Sequence, residues 1–127
     1  HVAHDCIVGD NVIMSNLSTL GGHVEVGDWA ILGGGVLVHQ FTKIGSHVLI
    51  GGGFRAVQDV PPFILAADHP LKYKGVNLVG LKRRGFSSEE RKSIKIYYPS
   101  EYPSSRVLIY SCDRRRHVGA HQRGWTY

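Results

Sequence analysis

The chain has 127 residues, a length typical of one domain, and a formal net charge of +5. Its two cysteines cannot form a disulfide framework, and no apolar run is long enough to cross a membrane. Nothing resembles a signal peptide, so we expect a cytoplasmic protein. Eleven of the fifteen Lys and Arg residues lie from Lys82 onward, and this charge alone leaves nucleic acid, nucleotide phosphates and an acidic protein open as partners.

A period of six residues runs through the first half of the chain. Nine aliphatic or methionine side chains follow one another at this spacing, at Val2, Val8, Met14, Leu20, Val26, Leu32, Val38, Ile44 and Ile50. The next residue is small at eight of the nine places, and His39 is the exception. Helices and alternating strands have shorter periods, whereas a parallel β-helix has one flat face per hexapeptide. We therefore predict a parallel β-helix, with the aliphatic residue pointing inward and the small residue turning the corner.

The predicted β-helix covers residues 1–58. The repeat is already running at His1 and no initiator methionine precedes it, so we expect the chain to begin inside a longer protein. Cys6 falls at an inward-facing position, which predicts a buried free thiol. The repeat stops at Asp59-Val60-Pro61-Pro62, because two prolines cannot donate to a further coil.

The rest of the chain divides into two segments. Residues 59–95 are predicted to form a connecting segment and two short helices. Asn77 caps the first helix, which stops at Gly85, and the S-x-x-E capping box at Ser87 opens the second, which runs to about Lys95. Residues 96–127 fit neither pattern and are assigned to a divergent tail of uncertain structure.

Several histidines are predicted to meet at one corner of the β-helix. Three hexapeptides make one triangular coil, so residues eighteen apart stack about 4.8 Å from each other. This count brings together His4, His23, His39 and Gln40. His39 also breaks the small-residue rule, as functional positions tend to do. His47 falls on another face and is expected to be ordinary surface.

Two chemistries fit such a histidine cluster. One is metal binding, and the other is general base catalysis by an imidazole that titrates near neutral pH. Asp5 follows His4 directly, and its carboxylate could orient a catalytic imidazole. Consecutive residues of a strand point to opposite faces, so this pairing requires a corner bend or a neighbouring subunit.

The segments HVAHDC, GGHVEVGD, VHQF, QDVPP and GVNLVGLKRRGF resemble the acyl-[acyl-carrier-protein]–UDP-N-acetylglucosamine O-acyltransferases of bacterial lipid A synthesis, over residues 1 to about 95. The resemblance implies a left-handed parallel β-helix, a homotrimer and active sites between subunits. It implies transfer of an (R)-3-hydroxyacyl group from acyl carrier protein to the 3-hydroxyl of UDP-N-acetylglucosamine. It implies no cofactor, metal, nucleic acid or membrane span.

The resemblance also implies roles for individual residues. His4 would be the general base, oriented by Asp5, and the backbone N–H of Gly22 would donate to the oxyanion. The implied substrate-binding residues are His1, His23, His39, Gln40, Asn77, Arg83 and Arg84. Gly52 stands where the family's acyl groove ends, and a glycine there implies a long acyl chain. Val79 departs from the family, because some members carry an acidic residue near the nucleotide at this place.

Other functions share the same repeat. The sister N-acyltransferase of the pathway and acetyltransferases that use coenzyme A also combine it with a catalytic histidine, although GLKRRGF favours the O-acyltransferase. A non-catalytic trimeric scaffold and a metal-dependent hydratase are alternatives of a different class. The γ-class carbonic anhydrases bind zinc on this fold through a histidine spacing that the chain lacks, which disfavours the metal alternative.

Overall fold

A computed structural model describes residues 1–98, which form a left-handed parallel β-helix, a β-hairpin and two helices. The β-helix strands are β1 (Ile7–Val8), β2 (Ile13–Met14), β3 (Thr19–Leu20), β4 (Glu25–Val26), β5 (Ile31–Leu32), β6 (Leu37–Val38), β7 (Lys43–Ile44), β8 (Leu49–Ile50) and β9 (Arg55–Ala56). They are followed by β10 (Ile64–Ala67), β11 (Lys72–Val76), α1 (Leu78–Arg83) and α2 (Ser88–Tyr97). The predicted fold class is confirmed, and the tail from residue 99 lies outside the described residues.

Every third strand pairs in parallel to give the three faces of a prism. The faces are β1–β4–β7, β3–β6–β9 and β2–β5–β8, and the third face continues into β10 and the antiparallel β11. The register confirms the predicted coil of eighteen residues, because Ile7 lies opposite Glu25 and Glu25 opposite Lys43. A residue's neighbours in space are therefore found one coil above and one coil below.

The predicted aliphatic column fills the prism. Leu20, Leu32, Ile44 and Ile50 are fully buried, whereas Val2 and Val8 at the lower end are 48% and 41% exposed. A second column lies two residues earlier in each hexapeptide and includes the fully buried Val24, Ala30, Val36 and Val48. Each hexapeptide thus contributes two inward side chains. Cys6 belongs to the second column; it is partly buried, and its thiol donates to the Gly21 carbonyl (3.1 Å).

The small residues do not turn the corners, which corrects the sequence-based expectation. Left-handed backbone occurs two residues later, with φ between 56° and 78° at Asp5, Asn11, Leu17, His23, Trp29, Gly35, Phe41, His47 and Gly53. The small residues instead allow successive coils to approach. A Cβ on Gly33 would lie 2.5 Å from the Gly52 nitrogen, and one on Gly45 would lie 2.4 Å from the Pro62 nitrogen. Glycine is required there by contact rather than by backbone angle.

Both predicted helix caps are present. The Asn77 side chain accepts from the Gly80 N–H (3.2 Å) at the start of α1. Ser87 and Glu90 form both hydrogen bonds of the capping box that opens α2. Helix α2 ends at Tyr97, two residues beyond the expected Lys95. Neither helix of the described part of the chain is long and apolar enough to cross a membrane.

Candidate active site

His4 and Asp5 form a hydrogen-bonded pair at the lower corner of the β-helix. His4 Nδ1 lies 3.0 Å from Asp5 Oδ2, and His23 Nε2 lies 3.8 Å from the same oxygen. Asp5 has φ 58°, so the corner bend that this pairing needs occurs within one chain. With Nδ1–H donating to the carboxylate, Nε2 of His4 carries the free lone pair. The exposed pair therefore has the arrangement of a base and its orienting carboxylate.

The imidazole of His4 packs against the backbone of Gly22. A Cβ on Gly22 would lie 2.6 Å from His4 Cε1 and 2.7 Å from Nε2, so a larger residue would displace the imidazole from this position. The neighbouring N–H groups of Gly21 and His23 donate to carbonyls of adjacent coils, whereas that of Gly22 donates no backbone hydrogen bond within residues 1–98. A free amide donor beside a basic nitrogen supplies the two groups that acyl transfer to a hydroxyl needs.

The histidine cluster continues on the neighbouring turns. The rings of His4 and His23 meet edge to face at 5.1 Å, and His23 stacks on Phe41 at 4.8 Å. Gln40 lies above Gly21, and its backbone nitrogen would be 2.7 Å from a Cβ added to Gly21. The predicted stacking of these coils is thus confirmed. His39, one residue before Gln40, is exposed, and its Nδ1 lies 3.1 Å from the Gln40 carbonyl oxygen.

His1 is held by its backbone. Its α-amino group donates to the Ser18 carbonyl (2.9 Å), and its carbonyl accepts from the Leu20 N–H (2.9 Å). These bonds fix the backbone of the residue three positions before His4, and its side chain is exposed. The structure records no contact between the rings of His1 and His4 among the described residues.

The three donors at the lower corner could also ligate a metal. One atom each from His4, Asp5 and His23 lies within 4.8 Å of the others. Without an ion, the His4–Asp5 separation of 3.0 Å is that of a hydrogen bond.

A second group of predicted residues lies on α1. Asn77 is only 4% exposed, and both ends of its amide are used: Oδ1 caps the helix, and Nδ2 donates to the His47 carbonyl (3.1 Å). Arg83 is exposed. Arg84 is partly buried, with its guanidinium carbon 5.6 Å from the centre of the Trp29 ring, and burial is the main cause that lowers its pKa. Of these three side chains, Arg83 is the freest to meet a ligand.

His47 is a part of the site that sequence reasoning missed. The expectation that it is ordinary surface is wrong, because its ring stacks on Phe63 (5.6 Å), meets Phe86 edge to face (5.0 Å) and has Nδ1 3.2 Å from Arg84 Nη1. The pKa of His47 is lowered to about 4, mainly by burial and also by the charge of Arg84, with Asp28 partly opposing the two. The imidazole is therefore neutral near pH 7.

An apolar groove of about 450 Å³ lies between α1 and one face of the β-helix. Its floor is a ladder of three paired residues, Ile31, Leu49 and Leu65. Its α1 side includes Val79 and the two arginines Arg83 and Arg84. Gly52 is exposed but is not one of the lining residues. The groove combines an apolar floor with cations at its rim, as sites for amphipathic ligands do.

Comparisons with known proteins show what the chain as a whole is similar to. A family model described as UDP N-acetylglucosamine O-acyltransferase, domain 2, matches residues 59–109 and so extends past the expected limit near 95. The acyl-[acyl-carrier-protein]–UDP-N-acetylglucosamine O-acyltransferase of Aliivibrio fischeri is 49% identical over 108 residues, which are 85% of this chain and 41% of the relative. The solved Arabidopsis UDP-N-acetylglucosamine acyltransferase is 38% identical with a TM-score of 0.76, over 96% of this chain and 42% of the other.

A broader match shows the class. The solved GDP-perosamine N-acetyltransferase of Caulobacter crescentus, an H141A mutant, is 38% identical with a TM-score of 0.55, over 56% of this chain and 34% of that one. The fold and these matches place the chain in a class of β-helical proteins with hexapeptide repeats whose named members are acyltransferases. Within that class the chain belongs to the UDP-N-acetylglucosamine O-acyltransferase family. It spans about two fifths of the length of the curated relatives.

Proposed function

We propose that this chain carries the active-site region of an enzyme that transfers an (R)-3-hydroxyacyl group from acyl carrier protein to the 3-hydroxyl of UDP-N-acetylglucosamine. This is the first step of lipid A biosynthesis. The carrying observation is the His4–Asp5 pair, whose imidazole packs against Gly22, a residue whose N–H donates no backbone hydrogen bond within residues 1–98. The names of the curated relatives supply the class of donor and acceptor.

In the proposed mechanism His4 acts as the general base. Its Nε2 accepts the proton of the sugar hydroxyl while the hydroxyl oxygen attacks the thioester carbonyl carbon. The Gly22 N–H donates to the oxyanion of the tetrahedral intermediate, a contribution of about 3 kcal/mol in comparable sites. Collapse breaks the carbon–sulfur bond, and the leaving thiolate takes the proton back from His4. Asp5 stabilises the transient imidazolium through Nδ1, and no covalent enzyme intermediate forms.

The proposed substrate contacts divide between the corner and α1. His1, His23, His39 and Gln40 would line the cleft for the sugar. The exposed Arg83 would hold the diphosphate directly, since a guanidinium binds phosphate oxygens in pairs. Asn77 and Arg84 would complete the nucleotide site. The apolar groove is lined by Asn77, Arg83 and Arg84 and would belong to the nucleotide site, whereas Gly52, which lies outside it, would limit the length of the acyl chain.

The protein is proposed to act in the cytoplasm as a homotrimer. Large apolar side chains stand exposed at two corners, with Leu17 77% and Phe41 65% exposed, and exposed apolar groups of this size favour burial against another subunit. The basic face of the helices would meet the acidic carrier protein, and opposite charge would speed that encounter.

The test is an acyl-transfer assay on a chimera in which this chain replaces the matching segment of the Aliivibrio fischeri relative. We expect transfer to UDP-N-acetylglucosamine from 3-hydroxyacyl carrier protein, little transfer from the coenzyme A thioester, and full activity after treatment with a chelator. No transfer from either donor would overturn the proposal. Preference for coenzyme A would favour an acetyltransferase, and loss of activity on chelation would favour a metal enzyme.

A further inference from the structure

His47 lies where the β-helix meets α1, and it joins two residues of the proposed nucleotide site. Its carbonyl accepts from Asn77 Nδ2 (3.1 Å), and its Nδ1 lies 3.2 Å from Arg84 Nη1. Phe63 and Phe86 close around the ring and fix its plane. One residue of the β-helix therefore contacts both α1 and the guanidinium that follows it.

We propose that His47 is a positioning residue for Arg84, whose guanidinium it aims at the nucleotide diphosphate by accepting one of its N–H groups at Nδ1. The inference rests on the proposed function, in which α1 holds the diphosphate. An arginine has five N–H donors, so one bond to His47 leaves the others available to phosphate oxygens. The Trp29 ring, 5.6 Å from the guanidinium carbon, supports the group from a second side.

This role needs a neutral imidazole, because an imidazolium has no lone pair to offer. Two charged groups act on His47: Arg84 lowers its pKa and Asp28 raises it. Burial, which also lowers the pKa, is the largest of the three effects. The result is a pKa of about 4, so Nδ1 remains an acceptor throughout the neutral range. An arginine that is already held in place loses less conformational freedom when the ligand binds. The loss of His47 should therefore weaken substrate binding and leave the rate of the chemical step nearly unchanged.

The test compares two substitutions at residue 47 in the chimeric enzyme. His47→Phe keeps a flat ring but removes the acceptor, and Phe41 shows that phenylalanine is accommodated at such a corner, with φ 63° against 59° at His47. His47→Asn keeps an acceptor near the position of Nδ1 and suits left-handed backbone. We expect His47→Phe to raise KM for UDP-N-acetylglucosamine about 10-fold with kcat within about twofold, and His47→Asn to restore most of the loss.

A double mutant separates positioning from structural support. If His47 acts through Arg84, His47→Phe should cause no further rise in KM once Arg84→Ala is present. Two results would overturn the inference. One is that His47→Phe raises KM equally with and without Arg84→Ala; the other is that His47→Phe alone has the KM of the unaltered enzyme while Arg84→Ala is impaired. An unchanged KM in Arg84→Ala would instead remove Arg84 from the proposed nucleotide site, and an inactive parent chimera would remove the proposed function itself.

Discussion

The sharpest test of the proposed chemistry is Asp5→Asn. The substitution removes the charge that faces Nδ1 of His4 and preserves the shape of the side chain. It also preserves the backbone, since Asp5 has φ 58° and asparagine adopts this left-handed conformation readily. Any loss of activity therefore reports on the carboxylate rather than on the corner.

The expected loss follows from the exposure of the pair. The side chains of His4 and Asp5 are 71% and 66% exposed, so water screens the attraction between the carboxylate and the imidazolium. An exposed ion pair contributes at most about 1 kcal/mol, and orientation of the ring adds a similar amount. The sum of about 1–2 kcal/mol corresponds to a decrease of roughly 5- to 30-fold in kcat. His4→Ala removes the base itself and should cost about 10²- to 10⁴-fold.

The assay is steady-state transfer by the chimera, with Asp10→Asn as the matched control at another exposed acidic residue. We expect the control to equal the parent, Asp5→Asn to be intermediate and His4→Ala to be lowest, with thermal unfolding unchanged in all three. Activity of His4→Ala within tenfold of the parent would contradict the base assignment. Activity of Asp5→Asn within twofold of the parent would mean that the carboxylate does not orient the ring.

Further outcomes are expected at four positions. Arg83→Ala should weaken binding of the UDP-sugar by about 1.5–3 kcal/mol, seen as a higher KM with little change in kcat. An unchanged KM would remove Arg83 from the site. Gly52→Met should shift preference to acyl donors several methylenes shorter, at about 0.8 kcal/mol each, and an unchanged ranking of donors would refute this limit on chain length. His47 has a pKa of 6.5 in the unfolded chain and about 4 in the folded protein, so on acidification the unfolded state binds the proton first. Lowering the pH through this window should therefore lower the free energy of unfolding, by about 1–2 kcal/mol after allowance for the partial exposure of the ring. Urea titrations at pH 7 and 4.5 check this, and His47→Phe should show a smaller pH effect. Gly33→Ala should lower the free energy of unfolding by about 1–3 kcal/mol, because its Cβ would lie 2.5 Å from a backbone atom. The control Gly34→Ala should cost less, because the nearest atom to its Cβ is at 3.4 Å. Equal losses of stability in the two variants would contradict the contact argument.

The sequence predicted the β-helix because its fold repeats one local pattern. Counting eighteen residues per coil also placed His4, His23 and Gln40 at one corner, which the register confirms. The second inward column was missed because polar residues interrupt it. Ser18 and Thr42 occupy this column and are each only 3% exposed, so the apolar period is broken at two of its members.

The residues around His47 could not be predicted by such counting. The ring is covered by Phe63, which lies just before the hairpin, and by Phe86, which follows α1, and both are beyond the predicted repeat. Phe63 follows His47 at the offset by which Val60 follows Ile44 and Leu65 follows Leu49, which is shorter than the eighteen-residue coil, and Phe86 has no such relation. The burial that lowers the pKa of His47 is therefore a product of tertiary packing and leaves no periodic signal in the sequence.

The coil register also limits which changes of chain length the protein tolerates. His4 faces Gly22 only because one coil separates them, so a six-residue insertion between them would move His4 one face around the prism. An insertion of eighteen residues would restore the faces but separate the two residues by a coil. Insertions that preserve the site must therefore lie outside it, because corners as well as strands carry hydrogen bonds between coils, such as that from the His23 N–H to the His4 carbonyl. Gene duplication of whole coils can lengthen such a protein at its ends, while the segment from His4 to Gln40 has a fixed length.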